Sequence, residues 1–164
     1  MNKSSLEREL SRRGSSPARV ASSIMQSPAL VKYVVDGLLS DTATIRFNSS
    51  KVMLAAAQKA PEAVRPHLRS ILALLDSENK TLQSAAIRTL GYLARVDSRG
   101  QITRTLDKLL ALVPGPDLMV ASNAIEGAAR IARAKPHVAD RVVPALLSVE
   151  SGRYKSSECR NIAI

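Results

Sequence analysis

The stretch Leu82–Ala94, Leu-Gln-Ser-Ala-Ala-Ile-Arg-Thr-Leu-Gly-Tyr-Leu-Ala, limits this chain more than any other. Leu82, Ala85, Ala86, Leu90 and Leu93 form a broad apolar stripe with the 3.6-residue period of a helix, with Ile87, Gly91 and Ala94 beside it. Small residues dominate the stripe, so a second helix backbone can approach closely. Thr81, Ser84, Arg88, Tyr92 and Arg95 fall on the opposite face of the same wheel.

The stretch recurs. Phe47, Leu82, Val120 and Tyr154 align in one column, and Ser49, Ser84, Ser122 and Ser156 in a second. Val52, Ile87, Ile125 and Cys159 make a third column, and Ala56, Gly91, Ala129 and Ala163 a fourth. The intervals are 35, 38 and 34 residues. Repeated helix–turn–helix units of that length bury their faces only against their neighbours, which predicts a solenoid.

The segments between fit this reading. Pro28, Pro61 and Pro136 start first helices over 28–39, 61–75 and 137–149, and Gly100 precedes another over 101–113. Second helices run to about Lys59, through 82–94 and over 118–134, and another starts at Arg153. No segment alternates with period two, so no strand is expected. Residues 1–27 read as two short helices with a basic character. They are either a degenerate cap over the end of the array or a frayed tail. The array itself divides into units 28–60, 61–97, 98–135 and 136–164.

At this point the residues resemble HEAT repeats, in the short form shared with phycobilisome-lyase-like proteins. The motif there is an Asp followed by Val-Arg-x-Ala-Ala-x-x-x-Leu-Gly-x-Leu-Ala. Asp76 with Leu82, Ala85, Ala86, Leu90, Gly91, Leu93 and Ala94 matches it closely. Asp117, Val120, Ala124, Ala128 and Ala129 match less fully, and Asp41, Phe47, Ala55 and Ala56 loosely. The motif's Arg is replaced by Asn48, Gln83, Ala121 and Lys155, so the family's Asp–Arg ladder does not carry over. The resemblance covers residues 28–164. It implies an all-α fold, a right-handed α-α superhelix of about four helix pairs with the last incomplete. It also implies that the second helices form an inner wall.

The helical wheel names the residues that leave the core on that wall: Arg46, Ser49, Met53; Thr81, Ser84, Arg88, Tyr92, Arg95; Met119, Ser122, Glu126, Arg130, Arg133; and Arg153, Ser156, Arg160. Seven arginines share the wall with one acid, Glu126, which lies four residues before Arg130. The arginine fork suits carboxylate or phosphate. The candidate partner-binding residues are therefore Arg46, Arg88, Tyr92, Arg95, Arg130, Arg133, Arg153 and Arg160, with Tyr92 as a small stacking platform. A net charge of +10 and a pI near 10.4 agree with an anionic partner.

Chemistry is otherwise sparse. Cys159 is the single cysteine, which rules out an internal disulfide and a cysteine metal cluster. His67 and His137 follow prolines in register with the repeat and lack ligand spacing. No phosphate loop or nucleophile elbow occurs, so no catalytic, cofactor or metal residue is assigned. The expected function is a non-enzymatic scaffold binding an acidic protein through the inner wall. Nucleic-acid binding through phosphate contacts is the alternative, and a HEAT-like DNA glycosylase a minor one. No membrane span and no secretory signal are expected, which favours a cytoplasmic setting. The uncapped end at Asn161–Ile164 predicts a fragment of a longer array or a unit completed by a partner, with an apolar edge open to self-association.

Overall fold

A computed structural model describes residues 1–151. It is 80% helical, and no strand occurs among the described residues. The helices are α1 (Lys3–Ser11), α2 (Pro17–Met25), α3 (Val31–Gly37), α4 (Ala43–Lys59), α5 (Pro61–Val64), α6 (Leu68–Ala73), α7 (Lys80–Leu93), α8 (Gln101–Leu110), α9 (Leu118–Ala134) and α10 (Ala139–Leu147). Short 3-10 turns adjoin them, as at Arg65–His67 and Ala94–Val96. The expected single helix 61–75 is broken into pieces. Pro66 lacks an amide donor, and its ring crowds the preceding turn.

Helix starts are set by side-chain caps. Asn2 accepts from the Ser5 amide, so α1 begins before the Ser4–Ser5 pair. Asn79 accepts from the amides of Thr81 and Leu82, and Asp117 from that of Val120. The buried Asp97 carboxylate takes the amides of Gln101 and Ile102 at the start of α8. These caps satisfy donors that the first helical turn would leave unpaired.

Four helices pack in chain order, α2 on α4, α4 on α7 and α7 on α9. α3, α6 and α8 each pack on the second helix that follows them, and α10 packs on α9. One apolar core runs through all of them, from Leu6 and Ile24 through Val52, Ile87 and Leu90 to Ile131 and Val142. α7 sits between α4 and α9, and nine of its residues are buried. Its crossing with α9 is close because of glycine. A Cβ built on Gly127 would lie 2.8 Å from the Ile87 Cγ2 and 3.1 Å from the Ile87 carbonyl oxygen.

Two of the residues that stand at the motif's Arg in the sequence alignment, Asn48 and Gln83, bond backbone carbonyls. Asn48 is buried, and its amide donates to the carbonyls of Leu10 and Arg12 at 2.8 and 3.0 Å, closing the end of α1. Gln83 donates to the Leu75 carbonyl at 2.7 Å. Side-chain bonds between residues 32–38 apart recur along the chain. Lys59 donates to Ser22, Lys135 to the Asp97 carbonyl, Lys108 pairs with Asp76, and Arg141 with Asp107.

The burial pattern shifts the α4 member of each column of the sequence alignment by one position. The buried positions of α4 and α7 coincide at an interval of 34 residues, which is also the spacing of the Gln58–Tyr92 bond. Asn48, Ser49, Ser50, Val52, Met53, Ala56 and Ala57 are buried, matching Leu82, Gln83, Ser84, Ala86, Ile87, Leu90 and Gly91. The 35-residue alignment is one position out, a rotation of about 100° on a helix. Phe47, expected in the core, is consequently 47% exposed, and Met53, expected on the wall, is 2% exposed.

Candidate functional site

With the register corrected, three stripes face the same way. Phe47, Lys51, Leu54 and Gln58 come from α4. Thr81, Ala85, Arg88 and Tyr92 come from α7, with Arg95 just beyond its end. Met119, Asn123, Glu126, Arg130 and Arg133 come from α9. Each stripe has the i, i+4, i+7 spacing of one helix face.

The basic part of this face is an internal network. The Glu126 carboxylate accepts from Arg130 Nε at 3.1 Å and Nη2 at 2.9 Å, and it lies 3.7 Å from Arg88 Nε. The Arg130 guanidinium also lies over the Tyr92 ring, 4.4 Å from its centroid. The Tyr92 hydroxyl accepts from Gln58 at 2.8 Å, and Arg95 donates to the Gln58 carbonyl at 3.4 Å. Arg46 donates to the Ser40 carbonyl at 2.6 Å, at the end of the first helix of its unit.

The structure thus brings Arg88, Tyr92, Arg95 and Arg130 together and separates Arg46 from them. Tyr92 is not an open platform, because Arg130 covers its ring. The uniform anion strip is corrected as well, since one carboxylate serves two arginines. Arg133 is exposed and has no ion pair or hydrogen bond among the described residues. Arg153 and Arg160 lie outside the described residues, as do Tyr154, Ser156, Cys159 and the C-terminal edge.

The serine column also differs from expectation. Ser49 and Ser84 are buried, and neither hydroxyl has a hydrogen-bond partner among the described residues. Gly37 explains Ser49: a Cβ there would lie 2.2 Å from the Ser49 Oγ, so α3 and α4 touch at this point. Leu72 is only partly buried.

The sequence reading placed Thr81 and Met119 on this wall but missed the α4 side of the face. A groove of about 160 Å³ opens beside Arg88, lined by Phe47, Leu54, Ala85 and Met119 with Lys51 at its edge. Met119 is 46% exposed, and its neighbour Leu118 is 42% exposed. The Lys51 ammonium lies 4.2 Å from the Phe47 ring centroid and pairs with no acid among the described residues. The i, i+4, i+7 spacing of Phe47, Lys51 and Leu54 was the available signal.

The comparisons with known proteins bear on the fold alone. No family model matches the chain, and no curated protein matches it. Two crystal structures of engineered proteins from the Northeast Structural Genomics Consortium are similar to it. The first has a TM-score of 0.67 at 21% identity, over 97% of this chain and 69% of its own. The second has a TM-score of 0.65 at 20% identity, over 97% of this chain and 67% of its own.

Elsewhere the described residues offer little chemistry. They hold no group of three or more His, Cys, Asp or Glu that could bind a metal, and no helix long and apolar enough to cross a membrane. Burial lowers the His67 imidazole below its ordinary 6.5, against the raising effect of Asp36. A cleft of about 290 Å³ between Arg65 and Arg99 is floored by Leu68 and Val96. The Asp97 carboxylate in its wall is already bonded to two amides.

Proposed function

We propose that this chain is a non-enzymatic binding module, a HEAT-like right-handed solenoid that recognises a partner protein through the face of α4, α7 and α9. Bonds between units at 32–38 residues support the repeat reading. The observation that carries the function is the exposure of Phe47 and Met119 on one face beside the unpaired Lys51 and the Glu126-paired Arg88. Large apolar side chains grouped in a groove with a polar margin are the usual composition of a protein interface. An acidic partner in a cytoplasmic setting suits the chain's charge of +10 and its lone Cys159.

Nucleic acid is the competing reading, and the pairing of Glu126 with two arginines weighs against it. Phosphate binding draws on unpaired cations and falls steeply with salt. A salt titration of binding to duplex and single-stranded DNA separates the two. The protein-binding reading predicts weak association, with Kd on the order of 10⁻⁴ to 10⁻⁶ M at physiological salt, unchanged by Arg95→Ala/Arg133→Ala. Tighter DNA binding that this double variant abolishes would overturn it.

A further inference from the structure

The geometry points to a specific occupant for the groove between Phe47 and Met119: a short amphipathic helix with apolar anchors on one side and acidic residues at its margins. The inference rests on the proposed protein-binding role and names the chemistry of the partner.

Three observations select that occupant. The groove reaches from α4 across α7 to α9, with Phe47 at one side, Ala85 on the floor and Met119 at the other. Neighbouring helices lie about 8–10 Å apart, so the crossing spans about 20 Å, or about 13 residues of helix.

The lining favours a ligand that satisfies its own backbone. Ser50 donates to the Phe47 carbonyl, and Asn123 to the Met119 carbonyl, so both side chains are engaged within their own helices. Of the other uncharged polar side chains in the lining, the unbonded Ser84 hydroxyl is buried and only Thr81 is exposed, so an extended peptide laid here would leave most of its amides and carbonyls unpaired, whereas a helix pairs them internally. Leu or Met anchors at i, i+3 or i+4, and i+7 would meet Phe47, Leu54 and Met119.

Charge selects the margins. The groove lining holds two cations, Lys51 and Arg88, and no acid. Glu126 lies one turn beyond Asn123 along α9 and is held by Arg88 and Arg130. An acidic residue on the ligand can therefore approach Lys51 without opposing a fixed carboxylate, while a basic one meets its uncompensated charge.

The test is selection of a randomised peptide library of about 16 residues, displayed on phage, against the full chain. Parallel selections use Phe47→Asp and Lys51→Glu, with melting temperatures confirming that both fold. Enriched peptides are expected to carry apolar residues at helical spacing flanked by Asp or Glu. A synthetic copy should become helical on binding, and should bind Phe47→Asp about 10-fold or more weakly. Lys51→Glu should lower affinity for the acidic copy and remove part of its salt dependence.

Enriched peptides that are basic or extended but still need Phe47 would overturn the inference and leave the protein-binding role standing. Peptides that bind Phe47→Asp as well as the unaltered chain, or no enrichment, would overturn the inference. In that case the role itself is judged by the salt titration above.

Discussion

Leu90→Ala is expected to destabilise the chain by about 2–5 kcal/mol, as a truncation in a well-packed core does. Leu90 is 1% exposed, on the helix that packs between α4 and α9. In a stacked-helix protein such a residue supports both neighbouring units, so the surrounding core cannot collapse into the space from one side alone. For a domain of this size the loss corresponds to a fall in melting temperature of about 4–20 °C. Ile87, fully buried, should behave similarly on truncation. Leu72→Ala should cost less, because Leu72 is only partly buried. Thermal unfolding by circular dichroism measures all three. A Leu90→Ala loss below about 0.5 kcal/mol would mean that the side chain is at the surface and the register of α7 is wrong.

Gly127→Val is the second large effect. Replacing a helical glycine normally gains stability, by about 1 kcal/mol for alanine and less for a β-branched residue. Here the added Cβ would meet the Ile87 side chain and, at 3.1 Å, the Ile87 carbonyl oxygen. The side chain can rotate, but the backbone oxygen can withdraw only if α7 and α9 separate. Overpacking of this kind costs about 1–3 kcal/mol, and the branched side chain places two more carbons in the same gap. The net result should be a loss of stability, together with disturbance of the Glu126–Arg130 pair on either side of the glycine. A melting temperature that rises, as propensity alone would give, would show that the helices do not touch at this point.

Much of the architecture was legible because its cause is local. The period of Leu82, Ala86, Leu90 and Leu93 places a helix. Pro28, Pro61 and Pro136 mark helix starts, and Asn79, Asp97 and Asp117 are at caps. The register of α4 was harder to read. Its buried face carries Asn48, Ser49 and Ser50, whose polarity hides the apolar arc, while the only phenylalanine sits outside. The reason lies in other elements. Asn48 is needed to close α1, and Ser49 fills the space left by Gly37. Neither demand can be seen from α4 alone.

The candidate site was half legible for a related reason. Helical spacing puts Arg88, Tyr92 and Arg95 on one face and Glu126, Arg130 and Arg133 on another. Which arginine meets which acid depends on how α7 and α9 are set against each other. At the observed 38-residue offset, Glu126 stands opposite Arg88, and Arg130 opposite Tyr92. An Arg88→Glu reversal therefore places like charges together on adjacent helices, so it is not a clean probe of binding. Phe47 and Met119 are better probes, because both are about half exposed and neither belongs to the core cluster.

The most direct measurement of the central claim is photo-crosslinking in cells that express the chain natively. A photoreactive benzoyl-phenylalanine is placed at position 47 or 119 on the α4–α7–α9 face, or at 70 or 104 on the exposed side of the first helices. The adducts are identified by mass spectrometry. The account predicts the same protein joined to positions 47 and 119 and absent from 70 and 104. Equal adducts at 70 and 104, or nucleic acid joined at 47 and 119, would contradict it.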